Sequence, residues 1–69
     1  MILYKDILAK LKDAGYTTTR LRREKIISEG TLTKLRHNQP ITTETIDLIC
    51  NLTGLPVEDL IEHKKDETT

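Results

Sequence analysis

The sequence predicts an all-α domain of five short helices, and three observations carry that prediction. Apolar residues recur at i, i+3 and i+4 in successive segments. Threonine, serine and proline stand where helices would begin, and glycine or proline where they would stop. No strand signal and no internal repeat interrupts the pattern. With 69 residues the chain holds one domain, and folding at this size buries only roughly 60% of the surface of the unfolded form. Its core is aliphatic: 8 Ile, 10 Leu and 1 Val, with Tyr4 and Tyr16 the only aromatics.

The first helix is expected over Leu3 to Ala14, with Leu3, Ile7, Leu8 and Leu11 on one face and Gly15 as its stop. A short second helix, about Thr18 to Lys25, is opened by threonine and buries Leu21. Ile26 and Ile27 lead to Ser28, which caps a third helix with Glu29 in its first turn. Leu32 and Leu35 are the only apolar residues of that helix, so most of its circumference faces outward. Few arrangements other than a helix-turn-helix bury a helix so sparingly. Asn38-Gln39-Pro40 reads as a turn. Thr42 or Thr43 then caps a fourth helix to about Thr53, with Ile46, Ile49, Cys50 and Thr53 on one face and Gly54 at its end. A fifth helix is expected from Pro56, with Val57, Leu60 and Ile61 inward. Residues 1–62 form the domain, and 63–69 are read as a polar tail that frays.

Composition removes several function classes. One cysteine forms no internal disulfide, and no Cys/His cluster has zinc spacing, so neither a metal nor a cofactor is expected. The longest apolar runs are too short to span a membrane, and the first ten residues mix acids and bases without a signal-peptide core. A cytoplasmic setting is the resulting expectation. So few aromatics argue against stacking of single-stranded bases. No nucleophile stands beside a base and no carboxylates converge, so no catalytic residue is assigned.

The formal charge is zero, 11 Lys plus Arg against 11 Asp plus Glu, which at first argues against a nucleic-acid partner. By segment the balance separates. Residues 1–16 carry +1, residues 17–40 carry +4 and residues 41–69 carry −5. The basic excess falls on the two helices singled out by pattern, together with Thr17, Thr18, Thr19, Thr31 and Thr33. DNA is held first through its phosphates, by cations, hydroxyls and backbone amides.

From about Tyr4 to Glu62 these residues resemble the Cro/repressor-type (Xre-like) helix-turn-helix regulators, in particular the small stand-alone members of bacteria and their mobile elements. The resemblance is carried by Leu21, Ile27, Ser28, Thr31, Leu32 and Leu35 in the motif, by Thr43, Ile46, Ile49 and Cys50 behind it, and by the Leu55-Pro56-x2-Asp59-Leu60-Ile61 ending. It implies a compact five-helix, lambda-repressor-like DNA-binding domain whose third helix enters the major groove of double-stranded DNA. Carried over by position, Glu29, Gly30, Thr31, Thr33 and Lys34 would face base edges. Lys34 would donate to guanine, Glu29 accept from cytosine, and a threonine methyl touch thymine. Gly30 would either let the backbone approach DNA closely or merely ease the start of the helix. Thr18 and Thr19 would contact phosphate on one side of the groove, and Arg36, His37, Asn38 and Gln39 on the other. Three positions depart from the family pattern: Arg22 replaces a small residue, Lys25 an apolar one, and Ile26 the usual turn glycine. The long stems of Arg22 and Lys25 are expected to lie along the helix pair with their charges in water, and Ile26 implies a non-glycine turn.

The expected function is a sequence-specific transcriptional regulator, a repressor in the main reading, that binds DNA as a homodimer without a small-molecule ligand. Leu48, Leu52 and Ile61 are the expected dimer contacts. The alternative is a protein-interaction module or antitoxin-like partner that uses the same fold through the acidic segment 41–69. His37 is read as a phosphate contact or solvated cap rather than a metal ligand or pH switch, and Cys50 as a small buried hydrophobe.

Overall fold

Eight aliphatic side chains set the architecture: Ile7, Leu11, Leu21, Ile27, Leu32, Leu35, Ile49 and Leu60 form one buried cluster. The computed structural model describes residues 1–66. Among these no polar or charged residue is buried, so nearly all specificity of packing rests on aliphatic shape. Truncating one such side chain to alanine costs about 2–5 kcal/mol, a large part of the stability of a domain this small.

The elements run β1 (Ile2–Tyr4), α1 (Ile7–Asp13), α2 (Thr18–Arg23), α3 (Glu29–Arg36), α4 (Thr43–Thr53), a 3-10 turn (Val57–Asp59) and β2 (Ile61–His63). Four helices are therefore present in the described residues, with a two-stranded antiparallel sheet where the sequence reading had helix. The correction has two parts. At the N-terminal end, Asp6 adopts φ 48°, which a right-handed helix cannot pass through, so α1 starts only at Ile7. Leu3, four residues before Ile7, matches the helical period yet lies in β1 opposite Glu62. At the other end, the Asp59 and Leu60 amides donate to the Pro56 and Val57 carbonyls at 3.0 and 2.9 Å. Those i→i−3 bonds make one 3-10 turn instead of a fifth helix, and the chain then extends at Ile61.

The sheet ties the two ends together, with Ile2 opposite His63 and Tyr4 opposite Ile61. The ladder continues on both sides, since Lys5 N–H donates to Leu60 O at 2.8 Å and Lys64 N–H to Met1 O at 2.8 Å. The boundary drawn at residue 62 thus falls inside β2; residues 67–69 of the expected polar tail lie outside the described residues. The ammonium groups of Lys5 and Lys10 reach the carbonyls of Glu58 and Asp59, fastening the 3-10 turn against α1. Among the described residues no helix is long and apolar enough to cross a membrane.

α2, α3 and α4 begin in one way. The side chains of Thr17, Ser28 and Thr42 accept the amides of Arg20, Thr31 and Thr45, each at 3.2 Å. Such a cap is worth about 1 kcal/mol. Helix ends use left-handed residues: Gly15 at φ 93° after α1 and Gly54 at φ 72° after α4. Between them Lys25 and Asn38 take the same conformation after α2 and α3, at φ 55° and 53°.

Candidate nucleic-acid interface

α2 and α3 are joined by a Schellman turn, and its geometry fixes how α3 is presented. Lys25 N–H donates to Arg22 O at 3.2 Å, and Ile26 N–H reaches back to Leu21 O at 2.9 Å. That bond pair closes the helix and places Ile26 over Leu21. The left-handed residue is Lys25, one position before the Ile26 expected to replace a turn glycine. Ile26 is instead half-buried against the core, and Ile27 is buried. The lysine bears the strain so that two isoleucines can pack.

Leu32 and Leu35 are the buried residues of α3. Glu29, Gly30, Thr33, Lys34 and Arg36 are exposed, and Thr31 is half-buried. Much of the helix surface is consequently available to an external partner, and it carries hydroxyls, two cations and one carboxylate. A Cβ built on Gly30 meets nothing within 4 Å, so the fold itself does not require glycine there. The hydroxyls are already partnered at helix level. Ser28 Oγ donates to Thr31 Oγ1 at 2.9 Å, and Thr33 Oγ1 donates to Glu29 O at 3.0 Å. Both threonine hydroxyls are therefore engaged within α3 and its cap.

Charges on the motif are sorted by pairing. Arg20 is held within the protein: Nε lies 2.8 Å from Glu24 Oε2, Nη1 donates to Gly15 O at 3.0 Å, and the guanidinium sits 4.6 Å from the Tyr16 ring centre. Glu29 takes Arg22 at 2.5 Å and Arg36 at 3.8 Å. Among the described residues Arg23, Lys25 and Lys34 have no ion-pair partner within the chain. Comparison with protein families matches residues 7–66 to the Cro/C1-type HTH DNA-binding domain. The chain belongs to this family. Comparison with curated proteins and with solved structures returned no match. The family match makes residues 7–66 a DNA-binding domain of the Cro/C1 type and bears out the family resemblance.

The far end of the Cro/C1-type motif is a built corner. His37 closes α3, its N–H donating to Thr33 O at 3.1 Å, and Asn38 turns the chain in the left-handed region. The Asn38 side chain then bonds β1 twice: Tyr4 N–H donates to its oxygen and its amide donates to Ile2 O, both at 2.9 Å. Gln39 N–H returns to Lys34 O at 2.8 Å, and its own carbonyl accepts the Tyr4 hydroxyl. Burial raises the Tyr4 phenol above its ordinary pKa, partly offset by the Ile41 backbone amide. Of the residues assigned to phosphate, Arg36, His37 and Gln39 are exposed at this corner, and Asn38 has its oxygen and one amide hydrogen engaged in the protein. Thr18 and Thr19 lie in the first turn of α2, half-buried and exposed respectively.

Two features of the site differ from what the sequence predicts. Arg22, expected along the helix pair with its charge in water, is exposed and also bridges α2 to the first residue of α3. Asn38, expected at phosphate, makes contacts with β1 that depend on a strand the sequence pattern does not signal. An asparagine just past a helix end is itself a left-handed signal, and so is an isoleucine placed to meet the leucine five residues before it.

Proposed function

We propose that this chain is a sequence-specific transcriptional repressor that binds duplex DNA as a homodimer, with α3 in the major groove. The observation that carries the reading is α3 itself: two leucines anchor it, the rest of its surface is polar and mostly exposed, and hydrogen bonds cap it at both ends. In this arrangement Lys34 donates to base edges, the methyl groups of Thr31 and Thr33 meet thymine, and Gly30 lets the backbone come close. Thr18 and Thr19 on one side, with Arg36, His37 and Gln39 on the other, hold phosphates and set the register. Asn38 fixes the second corner from inside. Two copies on half-sites about one helical turn apart supply the affinity that one neutral domain lacks. Leu48, Leu52 and Ile61 are all half-buried against the core and still partly open, as contacts between copies require.

The test is selection of bound duplexes from a random pool, followed by a salt titration on the selected sequence. Affinity falls steeply with salt, and Lys34→Ala lowers it at one base position within each half-site. Binding that ignores salt, or sequence preference unchanged by Thr31→Ala and Lys34→Ala together, would count against the reading. Tight capture of a protein partner through the acidic segment 41–69, with no duplex binding, would point to the interaction module instead.

A further inference from the structure

The carboxylate of Glu29 sits between two guanidinium groups from different helices. Arg22 Nε lies 2.5 Å from one oxygen, and Arg36 Nη1 lies 3.8 Å from the other. All three side chains are open to solvent, 52% exposed at Arg22, 56% at Glu29 and 39% at Arg36. None is needed to fill the core, whose residues are aliphatic. Two cations converging on two oxygens of one anion is also the way arginines hold a phosphodiester, whose unesterified oxygens carry the same charge in a similar fork. Ion pairs this exposed are weak and screened by salt. A phosphate arriving at the same guanidiniums therefore displaces little.

We propose that Arg22 and Arg36 form a phosphate-binding pair for the DNA backbone, and that Glu29 occupies the pair in the free protein as a stand-in for phosphate. The inference rests on the DNA-binding reading above and adds Arg22 to its contacts. It also gives Glu29 a role other than reading cytosine: it holds the two arginines in a phosphate-ready arrangement and competes with DNA for them. Removing the competitor strengthens binding to every sequence alike. Removing a base reader weakens binding to the operator alone. The fold tolerates the change, because the cap on α3 is made by Ser28 and not by Glu29.

The experiment measures binding of the full chain to a mixed-sequence duplex and to the selected operator over a range of salt. With Glu29→Gln, affinity for both duplexes rises by a similar factor, about twofold to tenfold, and the slope of log affinity against log salt steepens by about one. In a background carrying Arg22→Gln and Arg36→Gln the gain disappears, since there is no pair left to release. An equal gain in that background would show simple removal of a repelling charge and overturn the proposal. So would a loss confined to the operator, or no change in affinity and slope. If the unaltered chain binds no duplex even at low salt, the DNA-binding reading fails first and takes this inference with it.

Discussion

The oxygen of the Asn38 side chain accepts the backbone N–H of Tyr4 at 2.9 Å, so the left-handed residue just past the end of α3 also grips the first strand. In an antiparallel ladder successive residues turn their backbone groups to alternate edges. Met1 and Lys5 bond toward β2, leaving Ile2 and Tyr4 facing the other way, where the Asn38 amide meets both. One side chain thus takes the place of a third strand.

Replacing Asn38 separates its two contributions. Asn38→Gly keeps the left-handed backbone but loses both bonds, at a cost of about 1–3 kcal/mol. Asn38→Ala loses the bonds and adds left-handed strain, roughly another 1 kcal/mol. Urea denaturation ranks them wild type, glycine, alanine. Equal stability of all three would show that the bridge contributes nothing.

Lys25→Gly should stabilise the protein, unusually for a glycine inside a motif. The left-handed residue is relieved of up to about 1 kcal/mol of strain, less the entropy glycine loses on folding. A rise in the melting midpoint is the expected result, and a fall would mean that the lysine stem packs along the helices in a way that outweighs its backbone strain.

Gly30→Ala sets stability against binding. A Cβ has open space there and alanine favours helix by up to about 1 kcal/mol. In the proposed arrangement on DNA the same methyl group would occupy the space of the approaching backbone, and the expected drop in operator affinity is about tenfold, equivalent to ~1.4 kcal/mol. Both quantities are measured on one preparation. Higher stability with unchanged affinity would assign the glycine to helix initiation alone.

Tyr4 confers an alkaline limit. Its phenol titrates above the ordinary value of 10.0 in the folded state, because burial disfavours the phenolate. Between the ordinary value and the raised one, the unfolded chain has released the proton and the folded chain has kept it, so stability falls as pH rises through that window. Below it the contribution is complete. Tyr4→Phe loses the bond to Gln39 and is less stable at neutral pH, yet its stability declines less steeply above pH 10.0. Parallel declines in the two proteins would remove Tyr4 as the cause.

The helical half of the fold was legible because its signals are redundant. Ser28, Leu32 and Leu35 mark α3 by cap and by spacing together, and Thr42 and Gly54 bracket α4 in the same way. The ends were not legible. Three residues are too few to display strand alternation, and Leu3 happens to fall in helical phase with Ile7. Val57, Leu60 and Ile61 likewise satisfy a helical pattern that the chain abandons after one turn. On the candidate interface, residue type and spacing pointed to the exposed face of α3. They said nothing of Glu29 lying between Arg22 and Arg36, since that arrangement depends on the turn at Lys25, where neither glycine nor asparagine announced a left-handed residue.

The pairing of residue 2 with residue 63 also bears on the order of assembly. Helix caps and Schellman turns are local and close as soon as their own few residues exist. The sheet needs almost the whole chain, and closing so long a loop is entropically the slowest kind of contact to reach. β1 is made well before β2 and has no ladder partner until residues 61–63 have followed it. Asn38 becomes available midway through that wait. It can hold the waiting strand by the two backbone groups that β2 will never use, so the nascent domain has a temporary clasp that the finished one retains.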